Sequence, residues 1–378
     1  MRQGWHNLQA YLRFQGLPLP ERRVVVYSEG AASWPHLGPV LRAALARVDH
    51  PIAYVSSSAD DPGVALAHPR LSTHVIGDGH VRTLFFSGLQ ADLLLMTMPD
   101  LNTFHIKRSA RTRHCAYLHH SLVSSHMAYR EAAFDHFDTV LCAGPHHEAE
   151  IRAIEVLHGL PPKHLVPHGY GRLDAILAAS HDDLRTTDRP VLLVAPSWGP
   201  HGLLEAHADE LLRALAPTRW DVIVRPHPQT LRLAPQAIAC VRQWCERSPN
   251  LRLETSVAGH ESLRRASVMV SDWSGAAFDY ALGLERPVLF IDVPRKVNNP
   301  RYQQVPLEPI EVFGREPLGQ VVSAGRLAEL PLHLERMLVE QAAHRDQIRA
   351  FRERWVFNLG RSAEAAADWL VQAARASP

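Results

Sequence analysis

Short apolar runs alternating with helical stretches predict an α/β chain of two doubly wound, mostly parallel sheets with helices at the C-terminal end. Three observations carry this expectation. The centre of 23–28 (RVVVYS) and the whole of 191–194 (VLLV) are unbroken apolar runs, as strands covered on both faces are. The residues between such runs have helical spacing. The alternation breaks once, in the polar stretch 180–190, and then restarts. A chain of 378 residues has room for two cores. We therefore expect two Rossmann-like domains facing a cleft, an N-terminal one over residues 1–182 and a C-terminal one over 183–378 that includes the closing helices.

Taken in order, residues 1–20 place Trp5, Leu8, Tyr11 and Leu12 at helical spacing, with Arg2 and Arg13 nearby. Such a segment either lies on a membrane surface or packs on its own domain. Strands are expected at 23–28, 52–56, 93–98, 115–118 and 139–142, with a helix near 36–48. After the break, strands are expected at 190–195, 220–224, 251–254, 267–271 and 288–291. Helices are expected over 203–214 and in a long stretch ending near 246. A Pro-rich loop (294–317) precedes two last helices, 327–354 and 362–376.

Composition narrows the function classes. Net charge is +1, with 46% hydrophobic and 21% charged residues, so no global charge argues for nucleic-acid binding. None of the four cysteines forms a CxxC pair, which suits free thiols in a reducing cytoplasm. No apolar run approaches the ~20 residues of a membrane span, and no signal-peptide pattern is present. No His/Cys ligand spacing stands out among the 24 histidines, and no carboxylate pair demands a metal; a divalent cation stays open.

Ligands of doubly wound sheets bind beyond the carboxyl ends of the strands; four polar clusters follow predicted strands, and a fifth follows the short apolar run 165–167. His119-His120-Ser121 follows 115–118; a strand-end histidine suits a general base, or is a satisfied loop residue. His168-Gly169-Tyr170-Gly171-Arg172-Leu173-Asp174 offers glycines for close backbone approach and Arg172 for phosphate, or is a plain turn. Ala195-Pro196-Ser197-Trp198-Gly199 presents a hydroxyl and an aromatic ring, the latter for stacking or for the core. Arg225-Pro226-His227-Pro228 holds a histidine and an arginine in a rigid loop, able to neutralise phosphoryl charge. Finally, Ser271-Asp272-Trp273-Ser274-Gly275 joins a strand to a helix whose first N–H groups could hold an anion; Ser274 equally suits an N-cap. No Walker loop, GxGxxG or GxSxG sequence is present. The set suits transfer of a phosphorylated group from a nucleotide donor to a hydroxyl.

These residues resemble the CDP-glycerol glycerophosphotransferases that build teichoic acids and related capsule polymers. That family has His-Gly-Thr, Gly-Tyr-Pro-Arg-x-Asp, Tyr-Ala-Pro-Thr-Trp, Arg-x-His-Pro and Thr/Ser-Asp-Tyr-Ser-Ser motifs in this order. Here they correspond to 119–121, 169–174, 194–198, 225–228 and 271–275, with Phe278-Asp279 following. Asn358-Leu359-Gly360-Arg361-Ser362 is similar to the family's closing Gly/Ser signature. The resemblance implies a GT-B architecture and transfer of glycerol phosphate, or a related polyol phosphate, from CDP-glycerol with release of CMP. It aligns His119 with the family's base, while His120 stands where the family has Gly, so both are candidates. It makes His227 the second catalytic histidine. Arg172, Ser197, Arg225, Ser271, Asp272, Ser274 and Gly275 become donor-phosphate residues. Gly171 replaces the usual Pro, Trp273 the usual Tyr, and Gly275 the second Ser. A lipid-linked or oligomeric acceptor and contact with the inner membrane face are further implications. Two other readings stand beside it: a GT-B glycosyltransferase using a nucleotide sugar, and a non-catalytic assembly partner that binds polymer.

Overall fold

The computed structural model describes residues 2–103, 106–179, 189–255 and 261–376. Its first sheet holds seven strands: β1 (Val24–Ser28), β2 (Ile52–Ser56), β3 (Leu71–Val75), β4 (Ala91–Met96), β5 (Thr112–Leu118), β6 (Thr139–Cys142) and β7 (His164–Pro167). All are parallel, in the order β3-β2-β1-β4-β5-β6-β7. The second sheet holds β8 (Val191–Val194), β9 (Asp221–Val224), β10 (Leu251–Leu253), β11 (Val268–Ser271), β12 (Val288–Asp292) and β13 (Gly319–Ser323). It is also parallel, in the order β10-β9-β8-β11-β12-β13.

The unbroken apolar runs are explained by helices on both faces. Alternate side chains of β1 enter opposite cores: Val25 and Tyr27 join Phe14, Phe85 and Tyr117, while Val24 and Val26 join Leu37, Leu41 and Leu370. In the second sheet Leu192, Val194, Val222 and Val270 bury against Leu211, Leu215 and Trp220. The chain separates into two compact units, Met1–Asp174 with Asn298–Leu307 and Val356–Pro378, and Ala175–Val297 with Glu308–Trp355. The boundary expected at 182/183 lies outside the described residues.

The final helix corrects one expectation. The sequence places Ser362–Ala376 in the second half, yet Ala366, Ala367, Trp369 and Leu370 belong to the first core, beside helix Trp34–Leu45. Its small alanines let the two helices pack side by side, and together they cover this face of the sheet.

Three strands escaped or were only partly read. β3 is polar at its three central positions and mostly half-buried. β7 has an exposed-to-intermediate pattern. β13 follows a Pro-rich stretch, and its Gly319 has no room for a side chain: a Cβ there would lie 1.9 Å from the Val288 carbonyl oxygen. The expected helix ending near 246 is divided into Pro228–Leu233 and Pro235–Arg247, because Pro235 lacks the N–H that continuity requires. The expected helix 327–354 is likewise two, Leu330–Val339 and Gln341–Trp355.

Strand order reverses between β1 and β4 in the first sheet and between β8 and β11 in the second. The loops leaving these strands diverge at their carboxyl ends, which opens a crevice at each switch point.

Candidate functional site

At the switch point of the first sheet lies a recess of about 570 Å³. The loop after β1 supplies Glu29, Gly30 and Ser33, helix Trp34–Leu45 supplies His36, β2 leads to Ser58 and Asp60, β4 to Thr97, and β5 to His120. Gly30, at φ 145°, turns this loop back; its N–H donates to Ser28 Oγ and its carbonyl accepts from Ser33.

The two histidines after β5 have different surroundings. His120 lines the recess, with Nδ1 3.0 Å from the Tyr117 hydroxyl. Burial, partly offset by a backbone hydrogen bond at Thr97, lowers its pKa to about 4. His119 is only 1% exposed and stacks on His147 at 3.7 Å, the rings 13° from parallel. Neither of its ring nitrogens meets a hydrogen-bond partner among the described residues. Burial, followed by repulsion from His147, His120, His146 and His168, holds His119 neutral, well below the usual imidazole range.

The histidines around it are structural pegs. Helix Pro145–His158 presents His146 and His147 in its first turn. His147 Nδ1 accepts from the Ala143 N–H, so its Nε2 donates to the Val123 carbonyl at 2.9 Å. His146 Nε2 likewise reaches the Leu122 carbonyl at 2.9 Å. His126 faces Glu150 at 3.3 Å, and Glu150 accepts from the Ser125 N–H. Together they shape the loop that carries His119 and His120.

Two of the sequence motifs meet in this unit across some 190 positions. Asp174 accepts from the N–H groups of Gly360 and Ser362 at 2.7 and 2.9 Å, while Ser362 Oγ accepts from the Tyr170 N–H at 2.8 Å. Gly169 is obligatory: at φ 102°, a Cβ would meet the Phe357 carbonyl and Ser362 Oγ at 2.4 Å. Gly171 is the first residue of helix Gly171–Ala179, the position where the family's Pro is well tolerated. Arg172 lies close enough to His36 to disfavour its protonation. The motif thus anchors the last helix as well as offering a cation.

The switch point of the second sheet collects the remaining candidates. Both oxygens of the buried Asp272 carboxylate accept backbone N–H bonds, from Ser197 at 2.6 Å and Leu203 at 3.1 Å. Ser271 Oγ donates to the Ala195 carbonyl at 2.9 Å. These two residues fasten the loop after β8 to the loop after β11. Ser197 is itself buried. Ser274 caps helix Gly275–Leu284, accepting from the Ala276 N–H at 3.3 Å, and both Ser274 and Gly275 are half-buried.

A cationic, aromatic wall stands in the same unit. Trp198 and His227 lie near-parallel with centroids 6.0 Å apart, and Lys296 Nζ sits 4.4 Å above the Trp198 ring. His227 Nδ1 accepts from the Gln229 N–H, which leaves Nε2 as its N–H donor. Burial first, then the Lys296 charge, lowers the His227 pKa to about 4. Burial also lowers Lys296, against the opposing pull of Asp272 and Glu205. Arg225 donates to Ser262 Oγ at 3.2 Å. Trp273 is buried, donates to the Val293 carbonyl at 2.8 Å, and carries Arg315 over its face at 4.2 Å.

Sequence reasoning missed Glu29, His36 and Asp60 in the first unit and Lys296 in the second. The strand-end criterion would have reached Lys296, four residues beyond β12, had the Pro-rich stretch not read as a bare connection. Among the described residues, no group of three or more His, Cys, Asp or Glu side chains is arranged to hold a metal ion.

A family described as CDP-Glycerol:Poly(glycerophosphate) glycerophosphotransferase matches residues 119–371. No curated protein matches the chain by sequence. Among solved structures, a variant of the wall teichoic acid polymerase TagF superposes with a TM-score of 0.61 at 13% identity, covering 98% of this chain and 94% of that one. A putative UDP-N-acetylglucosamine 2-epimerase from Listeria monocytogenes gives 0.61 at 12% identity over 94% and 96%. MurG from Acinetobacter baumannii gives 0.50 at 12% identity over 93% and 99%. At these identities the likeness is one of fold, and that fold is the GT-B type.

Proposed function

This chain belongs to the CDP-glycerol:poly(glycerophosphate) glycerophosphotransferase family, and on that premise we propose that it moves glycerol phosphate from CDP-glycerol to a hydroxyl of a cell-surface polymer acceptor of the teichoic acid class. The observation that carries this reading is positional. The matched region contains both catalytic-histidine candidates after β5, His227, and the whole β11 turn, and these residues sit at the switch points of two parallel sheets.

In the proposed reaction the acceptor hydroxyl loses its proton to a neutral imidazole and its oxygen attacks the phosphorus bearing the glycerol. The bond from that phosphorus to the CMP oxygen breaks, so the donor leaves as CMP. His120 is our choice of base, because it lines the recess whereas His119 lies behind it. Lys296 and Arg225 neutralise the diphosphate, the neutral His227 donates a hydrogen bond to it from Nε2–H, and the helix start at Ser274-Gly275 receives the CMP phosphate. Phosphoryl transfer needs mainly positioning and charge neutralisation, so no covalent enzyme intermediate is required.

The finer placement is also proposed: a lipid-linked acceptor, met at the inner face of the membrane. No helix among the described residues is long and apolar enough to cross a membrane. Helix Arg2–Gln15 exposes Trp5 and Leu12 by 61% and 57%, apolar side chains suited to the interface. Binding to vesicles that is lost in Trp5→Ser with Leu12→Ser would support it.

The central test is CMP release from CDP-glycerol in the presence of acceptors ending either in glycerol phosphate or in a neutral sugar. Release that depends on acceptor supports the reading. No release, together with stronger thermal stabilisation by a UDP- or CMP-sugar, would replace it with glycosyl transfer.

A further inference from the structure

The recess in the first unit has a chemical character that limits what can occupy it. Its lip carries two carboxylates: Glu29, solvent-accessible at the mouth, and Asp60, also exposed and hydrogen-bonded by Ser58 Oγ. Its wall carries the hydroxyl groups of Ser33, Ser58 and Thr97. Its floor carries His36, only 7% exposed, packed face-on to Tyr170 at 5.7 Å and edge-on to His120 at 5.8 Å. The Nδ1 atom of His36 meets no hydrogen-bond partner among the described residues.

The lining is therefore rich in acceptors. Burial, with His120, Arg172 and His168 nearby, keeps His36 neutral, and burial keeps His120 neutral too. Loss of hydration raises the Glu29 pKa from its ordinary value; Arg82 opposes this and Asp100 adds to it. An acceptor-rich, anionic-lipped cavity is matched by a ligand with several O–H donors. A phosphate brought to the same place would add acceptors and a like charge.

We propose that this recess is the acceptor subsite, that it takes a neutral polyhydroxyl end, a sugar or polyol, in preference to a phosphate-bearing one, and that Glu29 and Asp60 determine that choice. The volume suits a unit of one to two sugars, so a phosphate within the entering unit would face both carboxylates. The proposal rests on the transferase reading only in naming the ligand an acceptor; the selectivity belongs to the recess itself.

A matched pair of probes tests it: diglycerol, which is neutral, and glycerophosphoglycerol, the same polyol with a phosphodiester link. Each is titrated by NMR into the full chain carrying labelled histidine. Diglycerol should bind at least about fivefold more tightly and shift the His36 and His120 ring signals. In Glu29→Gln with Asp60→Asn, the ratio should fall to within about twofold, chiefly through tighter binding of glycerophosphoglycerol. Both substitutions lie at an exposed lip and leave the cores intact, and each single variant should show part of the change. Equal or tighter binding of glycerophosphoglycerol by the unaltered chain would overturn the proposal, as would a ratio unchanged in the double variant. CMP release from CDP-glycerol, read on the same preparation, separates the two ideas. Selective diglycerol binding without CMP release would sink the transferase reading and leave the recess standing.

Discussion

The two switch-point sites use histidine in opposite settings. In the first unit His36, His119 and His120 are enclosed by one another and by aromatic rings, and burial keeps them uncharged. In the second, His227 shares a half-buried wall with Lys296 and Trp198, and cations lie over both tryptophan faces. On the proposed reading, the first site takes a proton from a hydroxyl group and the second surrounds negative charge. The same parallel-sheet geometry produces both, so the difference resides in the loops and not in the scaffold.

The largest expected effect tests that contrast directly. His120→Ala should lower CMP release by about 100-fold or more, the range of a lost general base. A larger loss in His119→Ala with release preserved in His120→Ala would move the base to the buried ring and break the assignment. Next, Asp272→Ala should destabilise the second unit by about 3 kcal/mol, since two backbone N–H groups lose a charged acceptor. Denaturant unfolding reads this, and a change below a tenth of that size would mean the loop holds itself. Lys296→Ala should weaken CDP-glycerol binding by about tenfold with a smaller change in turnover at saturation. The reverse pattern, turnover lost and affinity kept, would mark Lys296 as acting on the transition state.

The pH dependence sharpens the comparison further. A base must be neutral, and His120 is held at about 4. Activity should persist below the ordinary imidazole value of ~6.5 and fall only as pH drops through about 4. Stability should begin to fall earlier. The folded pKa values of His120, His168 and His227 are lowered to about 4, about 3 and about 4, so between ~6.5 and those values the unfolded chain binds more protons. Stability is thus complete above ~6.5 and is lost toward pH 3, each group adding at most about 1.4 kcal/mol per pH unit. The smallest effect is expected from Asp174→Ala, about 1 kcal/mol, because it removes the acceptor for two N–H groups at the start of the last helix.

Most of the sheet architecture was legible because strands buried on both faces leave unbroken apolar runs, as in residues 24–27 and 191–194. The elements that escaped lack that mark: β3 is half-polar, and β13 begins with a glycine required by a neighbouring strand's backbone. The candidate residues were found by their position after strands, but their division of labour was not. Nothing in the string Ser271-Asp272-Trp273-Ser274 says that the first two face inward to fasten a loop while Ser274 stands at the helix start. Nor does His119-His120 say which ring reaches the recess, since successive residues at a strand end point to opposite sides. His36 was invisible because its role arises only when β1, β4 and β5 converge.

The last helix has a consequence for synthesis. The first sheet is complete once residue 167 has left the ribosome, but the core on one of its faces is not. Val24, Val26 and Leu37 wait for Trp369 and Leu370, more than three hundred residues later, so the unit begun first is finished last. A nascent chain stalled anywhere in the second unit carries an uncovered apolar face, which a ribosome-bound chaperone would be expected to shield.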